Sequence, residues 1–404
     1  MRMPRSTFGL TLRLGVAQTL AYASSYYLPA ILAAPMAADL GLPVWVVMAA
    51  FSLALAVSAA VGPFSGRRVD ELGGRPVLAA SSLVFAGGLG LLAMCQGVVT
   101  LLLAWIVIGI AMGAGLYESA FAAVVRLEGS AGSRRVITGI TLMAGLASTI
   151  GWPLSTWMEG SWGWRGACGA WALAHLLLGL PLYLALPSTR EEHATSAHDG
   201  SDQADVGAAR EGAHASTLSD AQKRRAAFLL ALVFAGAWFV STALAAHLPQ
   251  LLALQGASPA AALAAATLVG PAQVAGRLAE FFWLKRWHPL LSARLAAVLH
   301  PLGAAVLLLA SPAALWVPLF ALLHGTGNGI LTIAKGTLPL AIFGPVGYGR
   351  RLGWLMAPSR VAQAFAPLLF GLAMQWWGAG ALVASAVVMA ASFAALMLLP
   401  RTGA

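Results

Sequence analysis

The sequence predicts an all-α polytopic membrane protein made of two pseudo-symmetric six-helix bundles, and three observations predict it. The 404 residues are 59% apolar and only 9% charged, against about 25% charged in a typical soluble domain. A dozen apolar runs are each long enough to cross roughly 30 Å of hydrocarbon at 1.5 Å per residue. The 24 Lys and Arg residues are sorted: all but Arg165 lie at the chain ends, in alternate gaps between the runs, or in the halves of the spans that adjoin those gaps. Basic loops stay on the cytoplasmic side, so this sorting gives orientation as well as class.

The spans are expected at about 10–34, 44–65, 77–97, 99–122, 137–158, 166–187, 226–248, 259–279, 291–310, 313–337, 352–374 and 379–400. Span 1 follows Arg2 and Arg5, and its lack of a cleavage site favours a membrane helix with a cytoplasmic N-terminus over a signal peptide. Spans 2 and 3 flank Arg67, Arg68 and Arg75; spans 4 and 5 flank Arg126, Arg134 and Arg135. Spans 5 and 6 meet at Trp162-Gly163-Trp164-Arg165, where Trp and Arg anchor at the interface. Residues 188–225 are rich in Ala, Ser, Gly, Asp, Glu and His and poor in large apolar side chains. Such a segment buries too little surface to offset its ordering entropy and reads as a flexible cytoplasmic linker. It separates an N-terminal bundle, 1–187, from a C-terminal bundle, 226–404. Lys223-Arg224-Arg225 anchors span 7 at the headgroups, and the even number of spans returns Arg401 to the cytoplasm.

A faint repeat links the halves. Val61-Gly62-Pro63 precedes Gly66-Arg67, as Val269-Gly270-Pro271 precedes Gly276-Arg277; Gly113-Ala114-Gly115 matches Gly325-Thr326-Gly327. Two related membrane halves suit a carrier that rocks about a central site.

The formal charge of +10 is spread over short loops, so anionic lipid headgroups, not nucleic acid, are its expected partner. Cys95 and Cys168 lie in apolar runs without metal-ligand spacing and read as buried small side chains. No metal or cofactor is expected. The linker histidines His193, His198 and His214 read as solvated.

Gly66-Arg67-Arg68-Val69-Asp70-Glu71-Leu72-Gly73-Gly74-Arg75 resembles the cytoplasmic signature of the major facilitator superfamily. The resemblance implies the major facilitator fold and a charge-relay latch containing Asp70 and Arg75. Gly66 and Gly73 independently allow close backbone approach and a tight turn, and Asp70 and Arg75 can form charged hydrogen bonds. The Trp162–Arg165 turn resembles the Gly-Trp-Arg turn of the same superfamily. Span 5, through Gly139, Gly145, Gly151 and Pro153, resembles in part the glycine-proline signature of its export branch. Small residues permit close helix contact there, and Pro153 bends the helix.

In span 4, Trp105 stands where many proton-coupled members carry Arg. What span 4 offers instead is Tyr117-Glu118 inside the apolar run. An ionisable group at that depth usually faces a cavity or a partner, which makes Glu118 the candidate proton carrier; the competing reading is an ion pair with Arg126 or Arg134. In span 10, four-residue spacing puts His324, Asn328 and Thr332 on one face. Lys335 follows, either balancing Glu118, attracting an anion, or snorkelling to headgroups. Further cavity candidates are Gln18, Tyr22, Tyr26 and Tyr27 in span 1, His247, Gln273 and Gln363. His300, next to Pro301, is given a local structural role.

Neither a nucleotide-binding loop nor a His-Glu-x-x-His or Gly-x-Ser-x-Gly arrangement appears, so no enzymatic activity is expected. The resemblance implies a secondary active transporter of a small solute in the bacterial inner membrane, with both termini cytoplasmic, functional as a monomer and driven by an ion gradient, such as protons, or by the solute's own gradient. Efflux of an anionic or weakly acidic compound is the leading expectation. An uptake permease, or a sensor or scaffold without transport, is the alternative.

Overall fold

A computed structural model describes residues 5–187, 218–309 and 316–399. Among these are 14 α-helices and no strand. Eight helical stretches are long and apolar enough to cross a membrane. The chain divides into two compact units, Met1–Thr217 with Ile342–Ala357, and Leu218–Ala341 with Pro358–Ala404.

In the first unit the expected span 1 is not one helix. It splits into α1 (Arg5–Ala23) and α2 (Pro29–Asp39). Pro29 has no amide hydrogen to continue α1 and suits a helix start, while the Ser24 and Ser25 hydroxyls donate to the Leu20 and Ala21 carbonyls at 2.8 and 2.6 Å. α3 (Val44–Leu72) runs past its expected end and carries Asp70 in its last turn. Gly73, at φ 88°, makes the corner into α4 (Gly74–Ala93); a side chain there would be strained.

Span 4 is also broken. α5 (Val98–Gly115) ends where Leu116 turns extended, and α6 (Tyr117–Ala144) begins beside it. α6 bends sharply at Gly129, and α7 (Ala147–Ala174) does so at Gly163, both at positive φ. The boundaries between expected spans 4, 5 and 6 are therefore single glycines, not loops. A π-helical turn, His175–Gly179, leads into α8 (Leu180–Leu184). α3 packs on α5, α4 on α5 and α7, and α1 on α6.

The second unit opens with α9 (Asp220–Leu254). Ser219 Oγ accepts from the Gln222 amide at 3.3 Å and Gln222 Oε1 from the Ser219 amide at 2.8 Å. This capping box explains why the last residues of the expected linker are helical; 188–217 lies outside the described residues. α10 (Pro259–Phe282), α11 (Pro289–Leu309), α12 (Val317–Phe343), α13 (Tyr348–Trp377) and α14 (Ala381–Met397) follow. α9 packs on α10 and α14, and α11 on α14. The start of α13 belongs to the first unit and the remainder to the second.

Candidate functional site

The polar residues form distinct sets. The first is built around Asp70. Helix α13 starts without a side-chain cap of its own, because Gly347 precedes Tyr348. Its early amides need acceptors. Asp70 Oδ1 accepts from the Gly349 amide at 2.9 Å and Oδ2 from the Arg350 amide at 2.9 Å. A carboxylate on α3 thus caps another helix and meets the positive end of its dipole.

The approach needs glycines. A Cβ at Gly66 would collide with the Gly349 carbonyl, and one at Gly353 would stand 2.6 Å from the Gly62 oxygen. Gly62 and Gly66 face Gly349 and Gly353 as two small-xxx-small pairs. Arg126 donates to the Asp70 carbonyl, and Arg67 pairs with Glu71 at 2.6 Å. Among the described residues Asp70's charged hydrogen bonds are to these two backbone amides, and none of them is to Arg75.

The second set surrounds the two helix breaks of the first unit. Gln18, fully buried, donates to the Gly115 carbonyl at 2.6 Å and lies 3.0 Å from Tyr183 Oη. The break at Leu116 frees that carbonyl from its helical partner, and Gln18 supplies one. Tyr22 meets Tyr117 at 4.5 Å between ring centroids, and Tyr26 and Tyr27 extend the cluster to Phe51 and Trp152. Phe51 in turn contacts Trp105. Glu118, 7% exposed, is in the first turn of α6, where the helix dipole favours a negative charge. Gly145 closes α6, and a Cβ at Gly151 would stand 2.7 Å from that of Ala23. Pro153 lies inside α7, next to Trp152, whose indole donates to the Tyr27 carbonyl at 3.2 Å.

The third set lies in the second unit on α12. Asn328 Nδ2 donates to Ser241 Oγ at 2.8 Å, and Thr332 bonds back to the Asn328 carbonyl at 2.9 Å. His324 lies against His300, with Nδ1 to Nδ1 at 3.0 Å, and His300 Nε2 is 3.0 Å from Ser385 Oγ. Lys335 is only 3% exposed, its ammonium 5.1 Å from the Trp238 ring centre. His247 bonds the Pro367 carbonyl at 2.8 Å, outside this face.

Sequence reasoning missed Ser241, Trp238 and Ser385 and gave His300 only a local role. His300 was detectable as an ionisable group deep in an apolar run. The serines and Trp238 carry no such signal.

At the loop side, Arg165 pairs with Asp39, bonds the Cys95 carbonyl at 2.9 Å and lies over Trp164. The hydrogen bond from Arg165 holds the Asp39 carboxyl below its usual value. Among the described residues no cluster of three or more His, Cys, Asp or Glu is placed to hold a metal, and Cys95 and Cys168 are free, buried thiols.

The sequence profile of the Major Facilitator Superfamily matches residues 14–342. No curated protein sequence matches significantly. Solved structures do. The human organic anion transporter MFSD10 is 17% identical, covering 98% of this chain and 100% of its own, with a TM-score of 0.67. The E. coli fucose:proton symporter FucP is 14% identical with the same coverage and a TM-score of 0.72. The proton:xylose symporter XylE is 16% identical, covering 98% and 96%, with a TM-score of 0.68. At such identities the likeness is one of fold.

Proposed function

Because the chain belongs to the major facilitator superfamily and is a multi-pass membrane transporter by that membership, we propose that it exports a small anionic or weakly acidic solute by alternating access, driven by protons. The observation that carries the anionic reading is Lys335. A snorkelling lysine leaves its ammonium among headgroups, whereas this one is buried at 3% exposure against Trp238, two turns from Asn328 on the same helix. A buried cation and a nearby amide donor suit a carboxylate or phosphate. The anion transporter among the structural neighbours is consistent with this reading.

Gln18, Tyr22, Tyr26, Tyr117, His247, His324, Asn328 and Thr332 are the remaining cavity candidates, and Gly145, Gly151 and Pro153 the flexible points of span 5. Gly66, Asp70, Gly73 and Arg75 form the gate, with Asp70 acting through its cap on α13. Glu118 is the candidate proton carrier; its place in the first turn of α6 holds the carboxylate where a local charge change acts directly on a helix start. The sorted cations support a bacterial inner-membrane protein with cytoplasmic termini, and the chain is taken to work as a monomer, with the lipid bilayer and the solute as its partners.

A second reading, sugar uptake, is favoured by the ring cluster of Tyr22, Tyr26, Tyr117 and Trp105 and by the two sugar symporters of similar fold. Thermal stabilisation of the purified protein by benzoate, phosphate, xylose, fucose and tetraphenylphosphonium separates the two, because a compound that prefers the native state raises its melting point. Stabilisation by the anions, lost in Lys335→Met and kept in Lys335→Arg, is the expected result. Stabilisation by the sugars alone, unchanged in Lys335→Met, would replace export of an anion with the uptake reading. For any anion so identified, Glu118→Gln should abolish pH-driven flux in vesicles; unchanged pH dependence removes Glu118 as carrier.

A further inference from the structure

We propose that His324 is a proton-accepting site of the second unit, with His300 and Ser385 holding the ring that takes the proton; this rests on the reading that transport is proton-driven. The argument begins with bond direction. Ser385 Oγ donates its single hydrogen to the Leu382 carbonyl at 2.8 Å. Its 3.0 Å contact with His300 Nε2 must then be a bond it accepts, so His300 carries its hydrogen on Nε2 and has a lone pair on Nδ1. The 3.0 Å contact between the two Nδ1 atoms requires one hydrogen between them, and it belongs to His324. A neutral His324 with its hydrogen on Nδ1 leaves Nε2 as an acceptor.

That atom takes no bond from the described residues. The ring lines a small recess with Asn328, Gly327 and Met389, with a cavity volume of about 10 Å³. Roughly that much space is what one water molecule needs, so the recess suits water and hydronium, not a whole solute. The step is simple: hydronium gives its proton to Nε2, an N–H bond forms as an O–H bond breaks, and water leaves. The imidazolium keeps its Nδ1–H on the His300 lone pair, so both of its protons have acceptors when water returns to the recess. Phe320 stacks on the His324 ring, 6.0 Å between centroids at 8°, and fixes its plane.

The four helices that line the recess bring no carboxylate to it. α14 carries no titratable side chain, α11 carries Arg294, which donates to the Leu396 carbonyl at 2.9 Å, and α12 carries Lys335. α9 carries His247 and, in its first two turns, Asp220, Lys223, Arg224 and Arg225. The only carboxylate on those four helices is therefore Asp220, at the far end of α9; α10, which packs on α12 at Gly325 and Gly329, carries Arg277 and the buried Glu280 toward its end.

Nuclear magnetic resonance of 15N-histidine-labelled protein in detergent reads the tautomer of each of the 8 histidines, assigned by single His→Gln variants. The expected result above neutral pH is His300 protonated on Nε2 and His324 on Nδ1, with nitrogen–nitrogen coupling between them. On acidification His324 alone of the pair becomes imidazolium, while circular dichroism shows the helices intact. His300→Phe removes the acceptor and should move that titration about one pH unit toward acid, roughly a tenfold loss of proton affinity. His300→Asn, whose carboxamide oxygen can replace Nδ1, should restore it. The opposite tautomers, or a His324 that stays neutral to pH 4 in folded protein, overturn the proposal. No solute is used, so that failure leaves the anion and Glu118 readings standing, and their failure leaves this one standing.

Discussion

Replacing Asp70 with Ala removes both acceptors from the second and third amides of α13 at once. The two losses differ in size. Gly349 is buried, so its amide loses a charge-assisted bond with no water to replace it, a cost of about 2 kcal/mol. Arg350 is exposed, and water can solvate its amide; there the cost falls to about 1 kcal/mol, within the range for losing a helix cap. Amide exchange in native protein reads these locally. Asp70→Ala should speed exchange roughly 30-fold at Gly349 and about fivefold at Arg350, since each 1.4 kcal/mol is about tenfold. Asp70→Asn should be asymmetric: its one carbonyl oxygen can serve one amide, while its NH₂ opposes the other. Arg75→Ala should change neither. Unaltered exchange at Gly349 in Asp70→Ala, or equal acceleration in Arg75→Ala, would refute the cap and return Asp70 to an ordinary ion pair.

Gly66→Ala should prevent stable insertion or lower the melting point markedly, because the added methyl collides with the Gly349 carbonyl, whereas Gly62→Ala, whose methyl would stand 3.9 Å from Gly353, should be nearly silent. Size-exclusion profiles and thermal melts in one detergent make the comparison; equal effects would show that the helices part easily. The Asp39–Arg165 pair gives a pH signature. Because Arg165 depresses the Asp39 value in the folded protein, the pair stabilises above the unfolded value near 3.8 and loses that contribution as pH falls through the lower folded one. Arg165→Gln should therefore flatten melting point against pH below about 4, weakly and less so at high salt because both side chains are exposed; an unchanged slope sinks the assignment.

The class, the helical content and the Gly66–Arg75 motif were readable because hydropathy and cation sorting act over whole segments. What was not readable is where helices break. Ser24, Ser25, Tyr26 and Tyr27, like Tyr117 and Glu118, add polarity beside the breaks but too little to end a span by hydropathy, and the breaks persist because partners distant in sequence satisfy the freed groups, as Gln18 does for Gly115. Asp70 shows the same limit. Its place in the motif suggested charged hydrogen bonds without saying to what, and its acceptors meet amides about 280 positions away. Likewise Lys335 read as a partner for Glu118, a cavity cation or an anchor, and its burial against Trp238 on another helix is a long-range contact that no local pattern shows.

The wide turn at His175–Gly179 sets the register of everything beyond it. A π turn holds one residue more than the α-helical path it replaces. Deleting that surplus residue should let the helix close into regular α geometry with the following segment close to its present place, whereas deleting a residue from the regular helix just before it would rotate that segment by about 100°. Only in the second case would Tyr183 swing off the Gln18 amide, which it now meets at 3.0 Å, and the break between α5 and α6 lose part of its support. The surplus residue near the end of the first bundle is thereby slack that the fold can give up, while the same loss one turn earlier would undo a contact with the first helix.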